Sequence, residues 1–342
     1  MDTEQTEYIP PKKNFWERHY RQIIYLLAFA CVFLGMLQDK PLKLNISNAT
    51  RGLFDTVQRI PEMRREKTLE TEQSIAEKKQ KLTDLSNNTG RKRLESEIIE
   101  LEEQLTRLKV DTNGVLLLCF DFDPGTAPEL QPMAEAILKH AFTEKVKVIG
   151  NVGYNPVSAQ LGKNIMDAAA SAGGDRYNLR VDGKEYTFLG FRPNAFMVYL
   201  QMGENIITAY ETDYANNDLN SLPIMRGIKN FNEIEMVVTL TGYVGGPEMW
   251  MNVAKTKFGK PLGIGMTAVS AADYYPYIQS EQIVGLLSGL RGAAEYESAI
   301  KLPGIAMKRM RPQLYAHSLA IVLIIIGNIE FFIGKFKKKR TR

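Results

Sequence analysis

A chain of 342 residues, 44% hydrophobic and 24% charged, is long enough for one large or two ordinary domains with a buried core. Its two cysteines exclude a disulfide scaffold, and its composition excludes a collagen-like or wholly disordered chain. The net charge of +4 is a local effect: six of the 43 Lys and Arg sit in the last eight residues, leaving 37 basic against 39 acidic residues elsewhere.

Residues 1–21 are polar and read as a cytoplasmic tail. The stretch 22–38 holds no charged side chain, and 314–334 holds only Glu330. As helices they extend about 25 and 31 Å, enough to cross a hydrocarbon core of about 30 Å. Phe15, Trp16, Tyr20 and Tyr25 near the first, and Tyr315 and Phe336 near the second, fit interfacial aromatic belts. A cleaved signal peptide is the alternative for the first, but the acidic lead and the missing small-residue cleavage site oppose it. Glu330 and Asn328 invite an ion-relay reading, yet Glu330 lies near enough to the interface to reach the lysines beyond it.

Lysine and arginine counts close to the segment ends favour cytoplasmic termini. Lys12, Lys13, Arg18, Arg21 and the tail 335–342 outnumber Lys40, Lys43, Arg51, Lys301, Lys308, Arg309 and Arg311. The expected arrangement is a two-pass cell-membrane protein with its central domain extracytoplasmic. Glycosylation sequons at Asn45, Asn48 and Asn87 are compatible with that side. Cys31 in the membrane and Cys119 in a core strand predict no disulfide. Lys337, Lys338, Lys339 and Arg340 form a basic patch for anionic lipid, which makes the bilayer the first partner.

Residues 51–110 mix both signs of charge around a seam of Leu94, Ile98, Leu101, Leu105 and Leu108, with a looser one at Phe54, Val57, Ile60, Leu69, Ala76, Leu82 and Leu85. These spacings predict a helical hairpin or coiled coil, restarted at Pro61 and turning at 86–90, pairing either within or between chains. No basic–aromatic interleaving suggests nucleic acid.

From 113 to 303 the pattern becomes strand–helix alternation. VLLLCFDF, KVKVIGNV, EMVVTLTG and PLGIGMTAV are apolar runs suited to strands covered on both faces. Residues 177–191 read as a hairpin turning at Asp182-Gly183. A helix is expected near 194–210, another from Pro247 and another over about 280–300. The expected fold is α/β: a mostly parallel, Rossmann-like, three-layer domain. Pro128-Glu129 and Pro247-Glu248 occupy matching places in two halves, which raises an internal βαβα duplication.

Ligands of such sheets bind beyond the carboxyl ends of strands. Those ends carry Asp121, Asp123, Tyr154, Asn155, Thr241, Gly242, Tyr243, Asp273, Tyr274 and Tyr275, a set of acceptors and aromatic faces suited to a sugar, amine, peptide or protein partner. FDFDPGT resembles the nucleophile motif of haloacid-dehalogenase-type phosphatases, with two Asp one residue apart followed by a Thr. Here Thr126 lies one place too far, and no later acid pair completes a magnesium site. The plainer expectation is that Thr126 caps a helix with Glu129 as its capping-box partner. The glycine-rich loop 241–246 could cradle an anion, but Pro247 removes a donor and Glu248 adds negative charge. His19, His140 and His317 are scattered, so neither a metal site nor a catalytic residue is expected, and no cofactor.

Within the expected helix over 280–300, Gly285, Ser288, Gly289 and Gly292 would share a side suited to close helix packing or an oligomer face. Taken together, these features predict a non-enzymatic, membrane-anchored subunit of an oligomeric cell-envelope complex, acting as scaffold or ligand-binding component. Its partners would be further copies or another membrane protein, with a small-molecule ligand possible. The alternative is a membrane-tethered, phosphatase-like hydrolase using Asp121 and Asp123.

Overall fold

A computed structural model describes residues 15–38, 44–84, 88–173, 177 and 180–340. Lys12, Lys13, Lys40, Lys43 and Asn87 lie outside the described residues, as do the side chains of Trp16, Arg18, Glu330, Phe336 and Lys337–Arg340. The chain divides into two compact units, Met1–Leu42 with Lys308–Arg342, and Lys43–Met307.

The first unit contains α1 (Phe15–Met36) and most of α13 (Ile305–Arg340). Both hold windows, His19–Met36 and Ile305–Ile329, long and apolar enough to cross a membrane. Their apolar side chains point outward: Tyr25, Leu26, Phe29 and Ile324 are all mostly exposed. The helices meet where the Gln38 amide donates to the Tyr315 hydroxyl at 3.0 Å, and Arg311 also bonds Gln38.

The second unit opens with α2 (Asn48–Gln58), α3 (Ile60–Asp84) and α4 (Asn88–Val110). Pro61 stands in the first turn of α3, where its missing N–H costs nothing. Helices α3 and α4 run side by side in opposite directions, bridged by Lys78–Glu97 at 2.6 Å, Lys79–Glu102 at 2.6 Å and Lys109–Glu72 at 2.7 Å. Ile75, Ile98 and Leu108 are buried, whereas Leu69 is 58% exposed. The seam is thus only partly covered.

Six strands follow: β1 (Val115–Asp121), β2 (Lys147–Val152), β3 (Tyr186–Phe191), β4 (Met236–Thr241), β5 (Leu262–Met266) and β6 (Gly285–Ser288). They form one sheet in the order β3-β2-β1-β4-β5-β6, every pairing parallel. Each residue of β1 and β4 is buried, as continuous apolar strands require when helices cover both faces. One face carries α5 (Ala127–Thr143), α6 (Ser158–Ser171) and α12 (Gly289–Ala299). The other carries α7 (Ala195–Glu204), α8 (Ile206–Tyr210) and α9 (Gly246–Trp250), the last running on as a π-helix over Met251–Lys257. Short helices α10 (Ala268–Ala271) and α11 (Tyr275–Gln279) lead towards β6.

Three local expectations need correction. Among the described residues of 177–191 there is no hairpin. The Asp182-Gly183 turn closes on Tyr186, and β3 pairs with β2 alone, because only the downstream arm is apolar enough to be buried on both faces. The 280–300 segment is not one helix but β6 followed by α12. Gly285 and Ser288 are strand residues, Gly289 makes the junction with φ +56, and Gly292 packs on Leu287 of its own chain. Gly285 is small because α2 crosses the edge strand there: a Cβ would lie 2.3 Å from Leu53 N. Finally, Thr126 makes no side-chain cap and Glu129 no capping box. Asp123 Oδ1 accepts from Gly125 N and Thr126 N instead, and Glu129 Oε2 reaches Ala268 N at 2.9 Å.

Two glutamates of α12 hold the points where the chain enters and leaves this unit. Glu295 Oε2 accepts from Ser47 N, Ser47 Oγ and Thr50 Oγ1 at 3.0, 2.6 and 3.0 Å. Glu297 accepts from Gly304 N, Ala306 N and Met307 N at 3.0, 2.9 and 2.8 Å. Helix α2 presses on the starts of β5 and β6, and α12 runs back from the end of β6. Entry and exit therefore lie toward the amino-terminal end of the sheet.

Candidate functional site

The strand order reverses between β1 and β4, and a crevice is expected just beyond their carboxyl ends. Asp121 closes β1 there and is 0% exposed. Its Oδ1 accepts from Gly153 N and Tyr154 N at 2.9 and 2.8 Å, and its Oδ2 from the Cys119 thiol at 3.1 Å. Burial pushes the Asp121 carboxyl above its ordinary range, although the amides and the thiol pull the other way. The Tyr199 hydroxyl stands 3.4 Å from Cys119 Sγ, and its ring stacks on Trp250 with centroids 3.8 Å apart. A Cβ on Gly153 would lie 1.6 Å from that hydroxyl, so only glycine lets the loop settle onto Asp121.

Above this buried acid the loops are laced across the crevice. Asn155 Nδ2 donates to the Tyr243 hydroxyl at 2.7 Å, which donates to Asp123 Oδ2 at 2.8 Å. Hydrogen bonds from Tyr243 and Thr126 hold the Asp123 carboxyl below its ordinary range. The Tyr154 hydroxyl donates to Gly245 O at 3.2 Å. Thr241 Oγ1 bonds both N and O of Tyr243 at 3.0 Å, and Gly242 N donates to Asp121 O at 3.1 Å. The loops after β1, β2 and β4 thus come together as expected from sequence. Tyr274 does not join them as a ligand group: it is buried and donates to Glu248 Oε1 at 2.6 Å, while Asp273 and Tyr275 face outward.

A second polar centre, at the amino-terminal end of β1 and β4, escaped sequence reasoning. Arg64 of α3, 1% exposed, pairs with Glu235 through Nε at 3.0 Å and donates to Glu233 O at 2.6 Å. Glu235 Oε2 also accepts from Val115 N at 2.6 Å. Glu233 receives Arg107 of α4 at 2.9 Å and caps the turn at Lys229 and Asn230. Lys260 is buried beside Lys67, and burial with that neighbouring charge lowers its pKa to about 7. This centre docks the helical pair onto the sheet. The only hint in sequence was a pair of acids directly before an apolar strand; their partners lie more than 100 residues away.

A cavity of about 560 Å³ opens beside this base, ringed by Arg59, Arg65 and Lys145 and by Glu62 and Glu144, so neither sign dominates. The buried His140 is held by Tyr296 at 2.8 Å and Gln58 at 2.9 Å, and burial lowers its pKa to about 4. Among the described residues no group of three or more His, Cys, Asp or Glu is placed to hold a metal ion. No family model, curated protein or solved structure matches the chain.

Proposed function

We propose that this chain is a non-enzymatic, membrane-anchored subunit of an oligomeric cell-envelope complex, whose Rossmann-like extracytoplasmic domain acts as scaffold or binding component. The observation that carries the reading is the closed switch point. Both carboxylate oxygens of Asp121 are engaged by donors of its own chain, and no solvent reaches the side chain. A nucleophilic carboxylate must face its substrate in ionised form. Asp123 serves as a turn cap and tyrosine acceptor, so neither acid favours the hydrolase alternative.

The two apolar helices support a two-pass anchor with both tails cytoplasmic and the basic end at Lys337–Arg340 against anionic lipid. The clamping of Ser47 and Met307 onto the single helix α12 supports a domain whose two connections to the anchor start from one helix. The paired helices α3 and α4 serve in this reading as a coiled-coil stalk or an oligomer contact. Mass measurement of the native protein in mild detergent is the test. A complex with further copies or with another membrane protein is expected, and a monodisperse monomer would overturn the scaffold role. Proteolysis of the central domain in spheroplasts checks the orientation, and protection would reverse it.

A further inference from the structure

The carboxyl-end loops of the sheet present an unusual surface. Four of them, 122–129, 153–159, 242–250 and 267–280, contain no Lys or Arg in a chain that has 43. They do contain Asp123, Glu129 and Asp273, and no ion pair within 4 Å neutralises any of these among the described residues, whereas Glu248 is turned inward onto Tyr274. Between the acids stand large apolar side chains in the open: Val244 is 72% exposed and Val269 90%, with Tyr154, Val157 and Tyr275 beside them in the same loops. Scattered apolar residues are ordinary on a protein surface; several on neighbouring loops at one end of a sheet mark a contact site.

These loops are also held in place. Tyr154 is tied to Gly245, Asn155 to Tyr243 and Tyr243 to Asp123, while Glu129 holds Ala268 and Glu248 holds Tyr274. A preorganised surface loses little conformational entropy on binding, which is what a protein contact rich in tyrosine requires. It lies at the end of the sheet opposite Ser47 and Ala306, where the chain enters and leaves this unit.

We propose that this face docks a protein segment in which apolar side chains are bordered by Lys or Arg. The acids without cation partners select the sign, because a matching cation rim attracts and an acidic one is repelled. Anionic lipid is disfavoured for the same reason. The proposal rests on the scaffold reading and names the chemistry of its partner.

The test uses the full-length protein in membranes of the cells that make it, with a photo-crosslinking amino acid at Val244 or Val269. Val181, exposed before β3 at the other end of the sheet, serves as control. The expected result is one discrete adduct from Val244 and Val269 and none from Val181, with mapped crosslinks on a partner segment carrying Lys or Arg. The exposed Asp273→Lys should lower adduct yield about fivefold or more, and so should raising salt from 0.1 to about 0.5 M, since rim charges act through screened attraction. An adduct unaffected by salt and by Asp273→Lys, an adduct with lipid, or an adduct with a second copy of this chain would overturn it. A protein that co-purifies in a complex yet gives no adduct at either position leaves the scaffold role standing and removes this face from it.

Discussion

Asp121 and Glu235 are buried carboxylates at opposite ends of two neighbouring strands, and they are satisfied in opposite ways. Asp121, at the carboxyl end of β1, has no cation: two backbone amides and a thiol hold it. Glu235, just before β4, has the fully buried Arg64 and one amide. Burial raises the pKa of both, and at Glu235 the Arg64 charge opposes that rise. The difference follows from what each end must join. The switch point joins loops of one sheet, whose spare amides are already there. The base joins a separate helical pair, and only a long side chain from α3 reaches across.

The comparison can be broken most sharply at the base. Arg64→Ala, which leaves Glu235 buried and unpaired, should cost about 3–5 kcal/mol, measured by denaturant unfolding of the full-length protein in detergent. The double replacement Arg64→Met with Glu235→Leu should recover most of that loss, because the pair's desolvation disappears with it. At the switch point the largest effect is steric. Gly153→Ala should cost about 2–3 kcal/mol, and Tyr199→Phe in the same chain should restore part of it by removing the colliding hydroxyl.

Lys260 sharpens the electrostatic side. Its folded pKa of about 7 lies below the ordinary 10.5, so the unfolded chain binds more protons between those values. Stability should therefore rise with pH from about 7 to 10.5, and the loss should be complete below 7. Lys260→Met should remove that slope and gain about 1–2 kcal/mol at neutral pH, read from unfolding at several pH values. Smaller again is Tyr243→Phe, expected to cost about 0.5–1.5 kcal/mol and to let the Asp123 carboxyl rise toward its ordinary pKa, which an NMR titration would show. Asp121→Asn should be mildest, under about 1 kcal/mol, since an amide oxygen still accepts from Gly153 and Tyr154. Because Asp121's folded pKa is raised, the acid contributes less as pH climbs through that value, and the Asn variant should lack this trend.

Much of the frame is legible in single residues. The run 115–121 reads as a strand covered on both faces, and it lies between β2 and β4. The rule that strand ends line a crevice groups Asp121, Asp123, Tyr154, Asn155 and Tyr243, whose loops meet, with Asp273, Tyr274 and Tyr275, of which Tyr274 turns inward onto Glu248 instead. What local pattern does not supply is exposure. FDFDPGT offers Asp121 as an acid for the hydrolase alternative, and the fold buries it under the amides of Gly153 and Tyr154. Gly285 and Gly292 read as one helix face, but apolar glycine-rich runs suit a buried strand equally well, and α2 crossing the edge decided between them.

By itself, the sequence determined two apolar spans, a charged helical segment and an α/β domain, because each depends on periodicity and composition within a short window. It also located the excess positive charge in a terminal tail rather than across the surface. Only the tertiary structure decided that the switch point is closed and that Arg64 docks the helical pair through Glu235. It alone decided, too, that two glutamates of one helix grip both ends of the domain. Those outcomes turn on contacts between residues up to about 250 positions apart, where burial and hydrogen-bond partners, rather than local pattern, set the energy.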